Sequence, residues 1–224
     1  MFMTDVLELD TYVIARHQGF SLNVPYDVYD NQGNKLLEVK HGMIGEVYSL
    51  LDSSGKTFGI ISRKMIALTP SYDLQDANKT AIGKVVEEIN IAGGLLNNTK
   101  NFALQDAAGN KIAQVKLTGP LAILTEMLKG EAPSAGNDIT TPDGSKVIGK
   151  LATQMGNLTY LNQRPAFVLQ VTDNSISKLA LLEFAIAVDH LYSSAQYMSN
   201  NRPAAGGFGG NRPPGSGSGF TFKL

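Results

Sequence analysis

The sequence predicts a mainly β protein: a closed antiparallel barrel of about twelve strands around a buried C-terminal hydrophobic helix, with one short outer helix. Three observations lead there. First, Ile176 to Ser193 (ISKLALLEFAIAVDHLYS) has helical character and is apolar on every side, with only Glu183 interrupting the run from Leu179 to Val188. A surface helix needs one apolar stripe, so an all-round apolar helix is enclosed by protein. Second, the chain upstream repeats one hairpin. Third, the lengths match: a helix of about 17 residues is roughly 25 Å long at 1.5 Å per residue, and strands of six or seven residues span roughly 20–23 Å. A twelve-stranded wall leaves a lumen that needs filling. A helix packed between two sheets is the competing arrangement.

The elements follow in order. Tyr12–Arg16 (YVIAR) is a short β-prone run and the first strand. Tyr26 opens the first clear hairpin, YDVYD-NQG-NKLLEVK. Its Asp30–Gly33 segment suits a type I turn followed by a left-handed residue, a conformation that glycine adopts without steric cost. The D-x-x-G turn returns at Asp52–Gly55 and Asp106–Gly109, and Thr141–Gly144 (TPDG) is a close relative. Asp76–Lys79 (DANK) and Thr172–Ser175 (TDNS) read as worn copies, with Asn tolerating positive φ. The flanks repeat too: YDVYD, YDLQD and FALQD precede turns, and KLLEV, TFGII, AIGKV, KIAQV and VIGKL follow them. Gly59, Gly83 and Ala113 fall four residues after the turn's last residue. Gly149 falls five after, which is expected to turn it to the other face.

Ile89–Lys100 reads as a loop or bent strand dividing the hairpins into two groups. Gly119–Gly130 is the outer helix, with Pro120 at its first position and Gly130 as its stop. Met155–Val171 supplies the last strands. The barrel domain thus spans residues 1–199, with its central helix at 176–193. Residues 200–224, rich in Gly, Pro and Ser, form a flexible tail.

Composition narrows the function. With 19 basic and 20 acidic residues the net charge is −1, which argues against a nucleic-acid partner. The absence of cysteine removes disulfides, thiolate metal sites and a Cys nucleophile. The central helix is too short for a transmembrane span, which needs about 20 apolar residues. MFMTDVLELD lacks the basic start and apolar run of a signal peptide, so the expected location is cytoplasmic. His17, His41 and His190 are far apart and lack metal-ligand spacing. No G-x-S-x-G, P-loop or dinucleotide fingerprint occurs. The chain is therefore read as a non-enzyme without catalytic residues, metal or cofactor.

The repeated YDVYDNQGNKLLEV-type hairpins and the terminal LALLEFAIAVDHLY helix resemble the tubby C-terminal-like superfamily, nearest its LURP-one-related and phospholipid scramblase-like members. The resemblance covers roughly Leu7 to Ser194 and implies a closed twelve-stranded barrel around a hydrophobic helix. It also implies a binding module that recognises a phospholipid headgroup or a membrane surface, since tubby proteins hold phosphoinositides with Lys and Arg on the barrel exterior. On that resemblance Arg63, Lys64 and Lys84 form a candidate anion or headgroup site, and the protein is peripheral at a membrane if lipid is its ligand. The alternative is a structural or protein-interaction scaffold using the barrel surface and the tail. There Phe220, Phe222 and Leu224 alternate with Thr221 and Lys223 and suit strand addition to a sheet edge, the chain's own or a partner's. Glu183 has two readings: a carboxylate lining a ligand site, or a structural carboxylate satisfied by Lys, Arg, Tyr or backbone. Asp189 and His190 are expected near the barrel's rim, where the helix leaves the core.

Overall fold

The computed structural model describes residues 3–17, 25–42, 47–64, 71–88, 100–117, 137–153, 161 and 166–200. Twelve strands close into one antiparallel barrel. They are β1 (Thr11–Arg16), β2 (Tyr26–Tyr29), β3 (Lys35–His41), β4 (Val47–Leu51), β5 (Thr57–Arg63) and β6 (Ser71–Asp76), then β7 (Ala81–Glu88), β8 (Lys100–Gln105), β9 (Lys111–Leu117), β10 (Asn137–Thr140), β11 (Val147–Thr153) and β12 (Ala166–Val171). Each pairs with its sequence neighbour, and β1 closes on β12 through Thr11–Gln170 to Ala15–Ala166. Among the described residues two helices accompany the wall: the short α1 (Met3–Glu8) and the long α2 (Lys178–Asn200).

One end of the barrel is built from the predicted turns. In each D-x-x-G turn the Asp carboxylate accepts from backbone N–H groups further along, as Asp52 Oδ1 does from Ser54 (2.9 Å) and Lys56 (3.0 Å). Gly33, Gly55 and Gly109 take the left-handed position at φ 88°, 80° and 89°. In the Asp76–Lys79 turn that position falls to Lys79, at φ 65°, and not to Asn78. Thr172–Ser175 is not a hairpin turn; it leads from β12 into α2.

Next to every turn the odd strand carries one extra residue. This bulge explains the K-L-L, T-F-G, A-I-G, K-I-A and V-I-G repeats. The bulged Leu36, Phe58 and Ile148 are buried in the main core, and Ile82 and Ile112 pack on it. The residue after each is opposite an inward side chain: Leu37 faces Val28, Gly59 faces Leu50, Gly83 faces Leu74, Ala113 faces Leu104 and Gly149 faces Ile139. Gly149 thus keeps the common register, against expectation. The extra residue is absorbed in the loop, where Thr141 N–H reaches Lys146 O, while Asp52 N–H reaches Lys56 O one position sooner.

α2 enters at this turn end and fills the lumen. Ser177 O takes the first helical bond from Leu181 N–H at 3.0 Å, so the helix begins after Ser177, a favourable N-cap residue, and two residues later than expected. Its far end, at Asn200, lies beyond the expected Ser193. Leu181, Leu182, Phe184 and Ala185 are fully buried. The helix packs closest to β5–β8 and β12. α1 sits against the wall, with the Tyr12 hydroxyl donating to Val6 O (2.9 Å) and Leu9 O (3.0 Å). No described helix is long and apolar enough to cross a membrane. The expected outer helix at 119–130 and the segment 89–99 lie outside the described residues.

Candidate functional site

The other end of the barrel, where α2 leaves, collects polar side chains. Antiparallel strands end there in odd numbers and begin there in even ones. Arg16 and His41 close β1 and β3, and Tyr26, Tyr48 and Tyr72 stand at or one residue past the starts of β2, β4 and β6. All three tyrosines are buried and reach the helix. The Tyr48 hydroxyl lies 2.6 Å from His190 Nε2, and the Tyr72 hydroxyl 2.5 Å from His190 Nδ1. One imidazole is therefore held by two strands. Beside it Asp189 Oδ2 accepts from Arg16 at 2.5 Å and from the Tyr26 hydroxyl at 3.0 Å. Burial, and the Asp189 carboxylate next to it, push the Tyr26 hydroxyl well above its ordinary pKa, so it stays protonated and donates. His41 and His190, far apart in sequence, stand edge-on to the Tyr48 ring, each 5.1 Å from it. Among the described residues no group of three or more His, Asp or Glu side chains is placed to hold a metal ion.

Tyr26 and Tyr72 open the repeated YDVYD and YDLQD while Tyr48 stands outside both, and nothing in the sequence says that the three hydroxyls meet the helix. Asp189 and His190 do lie at the exit end, but His190 is only 4% exposed.

Glu183 lies nearer the turn end, one face with His190. It is wholly buried and neither carboxylate oxygen has a hydrogen-bond partner, so it is not the satisfied structural carboxylate of the second reading. Its side chain lies against Gly59, where an added Cβ would overlap Oε1. Gly59 therefore gives the helix room. Gly83 makes room for a neighbouring strand and not for the helix: its Cβ would lie 2.7 Å from Gln105 O.

On the outer wall, Lys64 Nζ pairs with Asp73 at 3.0 Å, and Lys84 is in register with Asp73 across β6 and β7. Arg63 is in register with Tyr72, whose ring points inward, so by alternation Arg63 belongs to the lumen side at the exit end. Further round, Asp27 is 5% exposed and is held by Lys35 Nζ (2.7 Å), His17 Nε2 (2.9 Å) and the Tyr29 hydroxyl (3.2 Å). At the turn end a shallow cleft of about 430 Å3 is lined by Leu7, Glu8, Asn174, Ile176, Ser177 and Lys178. Phe220, Phe222 and Leu224 lie outside the described residues. The closed wall leaves the described strands no free edge for them to join.

No family model matches the chain, and no curated protein does. The X-ray structure of a protein from Arabidopsis thaliana is similar to it at 11% identity, covering 80% of this chain and 91% of that one, with a TM-score of 0.49.

Proposed function

We propose that the chain is a non-enzymatic binding module of the LURP-one-like barrel type, which meets an acidic phospholipid headgroup with its outer wall. The filled lumen carries this reading. Leu181, Leu182, Phe184 and Ala185 occupy the interior, so a ligand has only the wall and the rims to contact. The interior histidine and aspartate are engaged with Tyr26, Tyr48, Tyr72 and Arg16. On the wall, Lys64 and Lys84 flank one carboxylate, Asp73, which leaves a local excess of positive charge. An anionic headgroup would bridge the two ammonium groups, with Arg63 on the other face of the wall and outside this site.

The test is co-sedimentation with vesicles of phosphatidylcholine alone and with added phosphatidylserine or phosphoinositide. Binding should need the anionic lipid and weaken with salt, because exposed charges are screened over about 8–10 Å at 0.1–0.15 M. Lys64→Glu with Lys84→Glu should weaken it further. Binding indifferent to salt and to both substitutions overturns the headgroup reading. The wall and tail would then serve as a scaffold for a protein partner.

A further inference from the structure

We propose that α2 seats in the barrel with Glu183 carrying a proton, so that closing the barrel takes up one proton from solvent. Glu183 is 0% exposed, and both oxygens lack a partner. Each wall element packed on the helix can be checked for a compensating cation. β5 presents Gly59 and Ile61, and its Arg63 stands opposite Tyr72, at the His190 level. That level is seven residues up the helix, about 10 Å at 1.5 Å per residue. β6 presents Tyr72 and Leu74 and ends in Asp76, an acid. β7 presents Gly83 and Val85, while Lys84 between them faces outward beside Asp73. β8 presents Phe102 and Leu104, and its Lys100 is tied to Glu87 at 2.6 Å. β12 (AFVLQV) has no charge at all. Among the described residues no cation faces Glu183.

A bare carboxylate in such a place is costly, and a carboxyl group answers by keeping its proton. The surroundings act in that direction. Burial raises the Glu183 pKa well above the ordinary carboxyl value, the Ile60 and Gln75 backbone amides pull it back only in part, and the Asp76 charge raises it further. Neither amide is placed to close a hydrogen bond.

The native state holds the proton and the unfolded chain releases it above its ordinary carboxyl pKa. Stability is therefore whole below that value and falls as pH rises towards the raised native pKa. Over that window the folding equilibrium constant drops by up to about tenfold per pH unit. The turn aspartates Asp30, Asp52, Asp106, Asp143 and Asp173 have lowered pKa values and do not contribute in this direction.

Denaturant unfolding of wild type and Glu183→Gln between about pH 5 and pH 9 tests this, with Glu183→Leu as a second variant in which no polar group remains buried. The difference between wild type and variant isolates Glu183 from the histidines. Wild type should lose up to about tenfold in folding constant per unit relative to either variant. Infrared spectra of the native wild type at neutral pH should show the carbonyl stretch of one protonated carboxyl, lost on unfolding. Parallel pH profiles of wild type and a folded variant, or carboxylate bands alone at neutral pH, overturn the proposal. If neither variant folds, the infrared band alone decides.

Discussion

Gly59→Ala tests the seat of the helix directly. Gly59 is a buried strand residue without positive φ, so alanine is not strained there by its backbone. Taken alone, fewer unfolded conformations would make the change stabilising by about 0.4–1 kcal/mol. The new methyl, however, would overlap Glu183 Oε1 and lie 3.2 Å from its Cδ and 3.1 Å from Leu179 Cδ1. All three atoms belong to a helix enclosed by the wall, so relief requires moving a packed element. Overpacking of this kind costs about 1–3 kcal/mol. The net expected loss is about 1–2 kcal/mol. In a Glu183→Ala background the overlap vanishes, and Gly59→Ala should then cost little. Urea midpoints for the four proteins of the cycle give the coupling, expected at about 1–2 kcal/mol. Gly83→Ala is the control: its obstacle is the Gln105 backbone oxygen at 2.7 Å, which no change at Glu183 relieves. Additivity of Gly59→Ala and Glu183→Ala within about 0.5 kcal/mol would refute the contact.

Two further outcomes follow from the polar groups. Tyr48→Phe and Tyr72→Phe each leave one nitrogen of the buried His190 without its hydroxyl, at a cost of about 1–3 kcal/mol in denaturant unfolding; a loss near zero in both would mean that the histidine is not held as described. Asp143 is drawn down to about 2 by hydrogen bonds from Thr141 and Ser145, so its contribution is present above the ordinary carboxylate pKa and lost as pH falls towards 2. Asp143→Asn should make the acid fall of the melting temperature shallower, and an unchanged acid limb would remove the turn carboxylate from the account.

The fold was legible because its signals have mechanisms. A D-x-x-G turn needs a side-chain acceptor and a left-handed residue, and both needs can be read from residue types. The helix was legible because an apolar run without a polar face has nowhere to go but inside. Counting failed at Gly149, since position after a turn does not reveal whether an added residue lengthens the loop or the strand. It failed again at Thr172–Ser175, where the local residues suit a turn but the chain goes on into α2. The polar end was less legible still. Tyr26 and Tyr72 recur in the repeat, but the meeting of Tyr48 and Tyr72 on His190 depends on how far the helix has risen when it passes them. Satisfaction of Glu183 could not be counted from sequence either, because the cations on the surrounding strands point outward or sit at another level. Arg63 and Lys64 are neighbours in sequence, and strand alternation alone assigns them to opposite faces.

Depth is the property that apolar burial cannot specify for α2. Hydrophobic stabilisation is non-directional, and the run from Leu179 to Val188 offers apolar surface at every rotation. Two contacts on one helix face break that degeneracy. Glu183 needs the space over Gly59, and His190, seven residues on, needs the hydroxyls of Tyr48 and Tyr72. A slip of one residue rotates the helix by about 100° and removes both at once. A slip of a whole turn moves Glu183 off its glycine and His190 away from its tyrosines by about 5.4 Å. Asp189, bonded to Arg16 and Tyr26 on the adjoining strands, adds a third fixed point on a different face. The polar residues thus specify one seat for a helix whose apolar surface would accept several. This assigns roles to Gly59, the three tyrosines and the buried histidine without any ligand.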